Sequence, residues 1–510
     1  MGYVTDTPFI SEFRADHTPA YLRAVCALNG VRPTRLDQGF TWCDFGCGDG
    51  LTACVLAAAR PDGIFLGVDF NAEHIARARA MARNAGLTNA RFLERDFDHM
   101  TVGEIPPLDF AIIHGVLSWL PAERCGRLLD FVCGRLKPGG MLLVGYDALP
   151  GWAPLLQMRR RMLAETADVT GGTIARVRAA LDWLERQKSA NVKFFRDSAL
   201  AAEWVDELRR QDLRYVAHEF FNDVLTAYTF GEIESEMEAR GLSFAGSASF
   251  FHNILELSVP QALHDEFRAV RTRRELEEKR DFIRNETFRR DVFVKDATAV
   301  TSEAEWQVLH EDLILGTLEP EAALDRAVDF GDIRLSYAND PLHGMLTALA
   351  GRAMRLGDCT RAPPDVRLEA ARLLMAGGQV FPFAHPPTAE TAGVPPSPSL
   401  PIRMPSGFNR AMIDGMPLAL PKVVLASPVA GSGVIIPALD ALLLLGLCEV
   451  GEAGAVAWAS AWLAQRGQEV IEDGHRVTAD AILPRRLTAL LGAPLAKLLE
   501  LGVVESFQNP

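Results

Sequence analysis

The chain has 510 residues, enough for two to four domains at roughly 100–200 residues each. Hydrophobic residues make up 48% and charged residues 23%, which excludes a chain disordered throughout. With 52 Lys+Arg against 66 Asp+Glu the net charge is −14. That balance argues against nucleic acid as a partner, because phosphate contacts need a basic face, and favours small-molecule or basic protein partners.

The 8 cysteines lie mostly in apolar runs, as reduced core thiols do. Cys43 and Cys47 flank a glycine turn, with no second pair and no His cluster, and no His/Asp/Glu set has metal-ligand spacing. No metal is expected. Met1–Ser11 has neither a basic n-region nor a long apolar stretch, and no run approaches 18 apolar residues. The expectation is a cytoplasmic protein without membrane insertion.

In chain order, Thr18 as N-cap, Pro19 at N1 and Gly30 at C′ bound a helix over Ala20–Asn29. A regular alternation follows. Strands are predicted at Thr41–Phe45, Ile64–Val68, Ala90–Glu94, Leu108–Ile113 and Met141–Gly145, and helices at Leu51–Arg60, Ala72–Ala85 and Ala122–Leu136. Strands separated by helices mean a parallel, doubly wound α/β sheet. Residues 1–153 form this core and 154–228 a helical insertion, with helices at Leu155–Ala167, Thr173–Ser189 and Ser198–Gln211. Residues 229–260 complete the sheet, with a helix at Phe230–Arg240 and strands at Leu242–Ala248 and Asn253–Ser258. Residues 261–381 read as a helical middle region opened by a long charged helix, Leu263–Asn285, whose charges suit a solvated face. Eight prolines in 382–405 mark a linker or extended wrap. Residues 406–510 read as a small helical or winged-helix-like module. Its helices fall at Ile435–Leu447, Val456–Gln465 and Arg485–Leu501, with a small strand at His475–Val477.

The chemistry lies in Asp44-Phe45-Gly46-Cys47-Gly48-Asp49-Gly50, which follows a strand and opens a helix. A nicotinamide fingerprint wants its third glycine at position 51, which is Leu. Asp69 ends the second strand 21 residues after Gly48, where an acid can accept both ribose hydroxyl protons. Asp96-Phe97 follow the third strand, and His114-Gly115 end the fourth. Read singly, Asp69 and Asp96 are helix caps; together with the glycines they are a set. That set resembles the class I S-adenosylmethionine (SAM) methyltransferases. The resemblance implies a Rossmann-like sheet and SAM as cofactor. It assigns Asp44, Gly46, Cys47, Gly48, Gly50, Asp69, Phe70, Asp96, Phe97, His114 and Gly115 to cofactor binding.

Four further blocks carry a narrower resemblance. They are Ile113–Pro121, Tyr146–Trp152, Ala217–Asn222 and Asp281–Arg290, and Thr7-Pro8-Phe9 agrees with them. They are similar to a bacterial family in which a class I domain precedes a methyltransferase regulatory domain. That family includes protein-lysine methyltransferases of outer-membrane proteins. Asp147 stands where it has Asn, and Phe220 where it has Tyr. The likeness covers about residues 3–300. It implies methylation of protein lysine, with a small-molecule methyltransferase and a non-catalytic SAM-binding scaffold as alternatives. A homodimer is left open. The candidate substrate-positioning residues are Tyr146, Asp147, His218 and Glu219. Trp119 and Trp152 are candidate pocket walls, each readable also as core. In this reading Tyr146 and Trp152 narrow a slot to alkyl-ammonium width, Asp147 or Glu219 holds the ammonium, and His218 accepts its proton.

Overall fold

The computed structural model describes residues 3–506 apart from 35, 37, 38, 332, 387–400, 416–420 and 473–474. Most of the Pro-rich segment therefore lies outside the described residues.

The first part follows the predicted alternation: α1 (Pro19–Leu28), β1 (Phe40–Phe45), α2 (Leu51–Ala59), β2 (Gly63–Asp69), α3 (Ala72–Asn84), β3 (Ala90–Glu94), β4 (Leu108–His114), α4 (Ala122–Arg135) and β5 (Leu136–Asp147). Thr18 caps α1 by accepting the Tyr21 N–H at 3.2 Å. Asn71 caps α3, its Oδ1 accepting the Glu73 N–H at 2.9 Å and the His74 N–H at 3.3 Å. The insertion is five helices: α5 (Trp152–Glu165), α6 (Thr173–Ser189), α7 (Lys193–Asp197), α8 (Ala199–Arg210) and α9 (Leu213–Phe220). Their buried faces form a core of their own around Leu155, Met158, Leu184, Val205 and Phe220.

The sheet is completed by α10 (Phe230–Glu238) and β6 (Leu242–Ser247), but not by Asn253–Ser258. That stretch is a 3-10 turn followed by the one-turn helix α11 (Leu255–Ser258). The single long helix Leu263–Asn285 is instead α12 (His264–Arg268) and α13 (Arg273–Arg284), the second started by the Thr272 N-cap. The seventh strand is β7 (Phe288–Lys295), beyond the expected 229–260. The strand order is β3-β2-β1-β4-β5-β7-β6, with β1–β5 parallel and β7 antiparallel to both neighbours.

β7 was hidden by its charge. Arg289 and Asp291 share one face of a strand buried throughout the middle of the sheet. They survive there because each is paired. Arg289 donates to Asp291 (2.8 Å), to Asp281 (2.5 Å) and to Glu277 (2.9 Å). Arg280 adds a 2.6 Å bond to Glu277, and the Tyr146 hydroxyl donates to Asp291 at 2.7 Å. The α13 face carrying Glu277 and Arg280 is thus buried against the sheet rather than solvated. Three arginines around Glu277 hold its carboxyl well below the usual range, although burial opposes them.

The middle region is less helical than predicted. It holds a small sheet of Ile314–Gly316, Met354–Arg355 and Phe381–Pro382, and a hairpin of Ala327–Phe330 with Ile333–Ser336. In the last region Ile435–Pro437 belong to a strand, Ser432–Pro437, paired with Lys422–Ser427. The next helix, Ala438–Gln465, spans 28 residues and is apolar enough by length and composition to cross a membrane. It is broken at Gly451 (φ 72°), and its Leu442–Leu447 segment is buried in the C-terminal core. Arg485–Leu501 divides into Ala479–Leu490 and Ala493–Glu500, and His475–Val477 pairs with Val470–Glu472. The Lys422–Pro437 hairpin packs on α2. That helix reads LTACVLAAA, apolar all round, with 8 of its 9 residues buried, and so needs cover on both faces.

Arg289→Ala leaves Glu277, Asp281 and Asp291 buried without their shared cation. It is expected to cost about 3–5 kcal/mol in the urea transition of the sheet domain. A loss below about 1 kcal/mol would show that this network carries little of the fold.

Candidate active site

The glycine-rich loop leaves β1 with Gly46, Gly48 and Gly50 at φ 99°, 54° and 73°. At Gly46 a Cβ would also lie 2.5 Å from Val116, so a side chain is excluded by space as well as by backbone strain. The Gly46 and Cys47 N–H groups donate to the Val68 carbonyl at 2.7 and 3.1 Å. Asp69 then locks the turn: one carboxylate oxygen accepts the Gly48 N–H at 3.0 Å, the other the Asn71 N–H at 2.8 Å.

Sheet order places the acids in a row. Asp96 follows β3, Asp69 ends β2 and Asp44 lies near the end of β1. All three line one cavity of about 570 Å³, together with Gly46, Cys47, Gly48, Phe70, Phe97, His114 and Gly115. Gly50 lies beneath, where a Cβ would strike Phe92 and Ala78, so its part is to let α2 start close to the sheet. Asp96 accepts the Asp98 N–H at 3.1 Å and pairs with Arg124. Burial, then the charge of Asp69, pushes the Asp44 carboxyl up to about 7, against the pull of Arg14. Burial holds His114 well below the ordinary imidazole range, and so neutral.

The far end of the cavity is different. Asp147 ends β5, its N–H donating to Ser118 Oγ at 3.0 Å, and Glu219 projects from α9. Trp152, Trp204, Tyr215 and Phe288 stand around them, and Trp119 lines the wall beside Tyr3. Among the described residues no cation comes within 4.0 Å of either carboxylate. Burial raises Asp147 to about 7. Glu219 is raised well above its usual range by burial and by the Asp147 charge, with Arg14 opposing.

Two sequence candidates do not face this space. Tyr146 is fully buried in the sheet core, spent on Asp291. His218 is fully buried between Tyr3 and Thr7: its Nε2 donates to the Thr7 carbonyl and its Nδ1 accepts from the Tyr3 hydroxyl, both at 3.0 Å. Burial lowers it to about 4, and with both nitrogens engaged it has no place for a substrate proton. Successive residues on a helix point about 100° apart, and here Glu219 faces the cavity while His218 is turned to Tyr3 and Thr7.

The N-terminal arm was not foreseen as part of the site, except for the agreement at Thr7-Pro8-Phe9. It crosses from the insertion to the cofactor half. The Val4 N–H donates to Asn222 (2.9 Å), the Thr173 N–H to Asp6 (2.8 Å), the Phe9 N–H to His74 (3.2 Å) and the Arg14 N–H to Thr52 (3.2 Å). Tyr3, Phe9, Arg14 and His17 all line the cavity. So do Thr52, Trp204 and Tyr215, which no motif marks, and Phe288, which lies within the Asp281–Arg290 block.

The donor set fits SAM: acids for the ribose and adenine, close backbone at the glycines, and a volume typical of a small-molecule site. Comparison agrees. Residues 36–201 match the model of a methyltransferase domain, and residues 212–295 that of a methyltransferase regulatory domain. The chain is a SAM-dependent methyltransferase. The methyltransferase is 27% identical over 485 residues to an uncharacterized protein of Synechocystis, 94% of each chain. It is 28% identical over 229 residues to an uncharacterized protein of Rickettsia prowazekii, 43% of this chain and 87% of that one. Among solved structures it is similar to PKMT2 from Rickettsia typhi, alone and in complex with AdoHcy. Each aligns at TM-score 0.71, with 16% and 17% identity, over 97% of this chain and 99% of that one. The whole fold is shared, the C-terminal region included.

Asp147 bears on stability as well as chemistry. Its folded carboxyl, near 7, lies above the unfolded value of about 3.9, so the native state holds the extra proton between those values. Stability from this group is therefore highest at low pH and falls as pH rises through that window. The melting temperature of the ligand-free protein should drop more between pH 5 and pH 8 than that of Asp147→Asn. Parallel curves would contradict the assignment.

Proposed function

We propose that this methyltransferase N-methylates lysine side chains of a protein substrate. One observation carries the reading: the acceptor end of the cavity joins the buried Asp147 and the half-buried Glu219, neither with a cation within 4.0 Å among the described residues, to walls of Trp152, Trp204, Tyr215 and Phe288. A lysine arrives as an ammonium on an apolar stem. Asp147 and Glu219 attract the charge, and the rings take the stem and the cation face-on.

The cofactor supplies an electrophilic methyl group; the chain must supply a neutral amine. An ammonium has no lone pair, so one N–H bond must break, leaving its electron pair on nitrogen and its proton on a carboxylate oxygen. Glu219 suits this role, since its raised proton affinity makes it a stronger base than an ordinary carboxylate. His218 does not.

The resemblance at Ile113–Pro121 and Tyr146–Trp152 supports the same substrate, as does the whole-chain likeness to PKMT2. The net charge of −14 favours lysine-rich targets. Small anionic acceptors fit poorly beside two carboxylates. The relatives named trans-aconitate 2-methyltransferase align over only 20–28% of this chain.

The test is tritiated-methyl transfer to poly-L-lysine, with acid hydrolysis and separation of the amino acids. Label should appear in methyl-lysine, with a rate that rises as pH increases through the titration of the acceptor carboxylates. Glu219→Gln should lower kcat about 100-fold and flatten that rise. Label confined to small molecules in a bacterial lysate, with none in poly-L-lysine, would contradict the lysine reading.

A further inference from the structure

The N-terminal arm lies outside both matched domains, yet it supplies a cation to the cavity. Sheet order sets which end of a ligand that cation would meet. Asp96, Asp69 and Asp44 belong to β3, β2 and β1, which are neighbours in that order, with β4 next. An adenosine whose base meets Asp96 and whose ribose meets Asp69 therefore directs its amino-acid end past Asp44, toward β4.

An α-amino acid brings a carboxylate as well as an ammonium, so this end of the cavity needs a cation beside its acid. Among the described residues two arginines line the cavity. Arg124 is committed at the adenine end, to Asp96 and Asp98. Arg14 stands at the other end. Its N–H is fixed to Thr52 in the first turn of α2, and its charge acts on Asp44, His17 and His114, and on Glu219 beyond them. Its guanidinium pairs with Glu12 at 2.7 Å, and five donors leave it able to keep that partner and take a second carboxylate.

A second observation points to a ligand there. His17 is 3% exposed and lines the cavity, and neither ring nitrogen has a hydrogen-bond partner among the described residues. Its ring lies 4.9 Å from that of His114. A neutral imidazole at this point offers one N–H and one lone pair to a polar group.

We propose that Arg14 binds the α-carboxylate at the methionyl end of the cofactor, opposite Asp44, which takes the α-ammonium. The arm is then part of the cofactor site and not only a cover over it. Arg14 reads the amino-acid half of the ligand and leaves the adenosine half to the strand ends.

Two ligands separate these halves in calorimetric titrations of the full chain. S-adenosylhomocysteine carries the amino-acid end; 5′-methylthioadenosine has the same adenosine and thioether without it. Arg14→Gln removes the charge, keeps a shorter polar side chain, and should weaken S-adenosylhomocysteine about 10- to 100-fold, the range for one charge-assisted contact. It should leave 5′-methylthioadenosine unchanged, which also shows that the variant is folded. Unchanged affinity for S-adenosylhomocysteine would overturn the proposal. An equal loss of both ligands would overturn it too, since Arg14 would then act only by holding the arm in place.

Discussion

One hydrogen-bonded turn organises the site. The Asp69 carboxylate accepts the N–H groups of Gly48 and Asn71, tying the loop after β1 to the end of β2 and the start of α3. With the Val68 carbonyl holding Gly46 and Cys47, this turns the chain sharply enough for α2 to start against the sheet. The parallel register then brings the ends of β1 to β5 to one rim, so residues far apart in sequence share one cavity. Moving any of these strands by one residue would turn its acid to the other face of the sheet.

The two ends of the cavity do different physical work. At the glycine end, backbone and acids fit a polar ligand that carries cationic groups, as the sulfonium cofactor does. At the Asp147 and Glu219 end, burial makes two carboxyls reluctant to ionise, with no cation within 4.0 Å among the described residues and with the Asp147 charge raising Glu219 further against the pull of Arg14. A cationic substrate relieves that cost, so charge selects the acceptor while the aromatic rings select its shape. The arm joins the two ends through Tyr3, whose hydroxyl holds His218 and whose ring stands edge-on to Phe70. The buried network around Arg289 reaches the same region from the opposite side, since Tyr146 precedes Asp147 in β5.

Much of this was legible in the residues. The alternation through residue 147 follows from strand and helix periods, and the cap residues Thr18 and Asn71 sit where their side chains close helices. Asp44, Asp69 and Asp96 could be placed at strand ends because the spacing of a βαβ unit constrains them. β7 was not legible, since Arg289 and Asp291 break an apolar strand pattern that only mutual pairing rescues. Nor was the turn of His218 toward the arm: adjacency in sequence says nothing about which of two helical neighbours meets a cavity. The arm escaped for a related reason, as an irregular segment has no period to read. The second cover of α2 also went unread. That helix's apolar circumference already required a second cover, which the hairpin at Lys422–Pro437 provides.

The account stands most directly on Asp69 as the hinge of the cofactor site. Calorimetric titration with S-adenosylhomocysteine tests it, on the wild type and on Asp69→Ala, with melting curves as a control for folding. The prediction is micromolar one-to-one binding by the wild type and loss of that binding in the folded variant. No binding by the wild type, or equal binding by both, would contradict it.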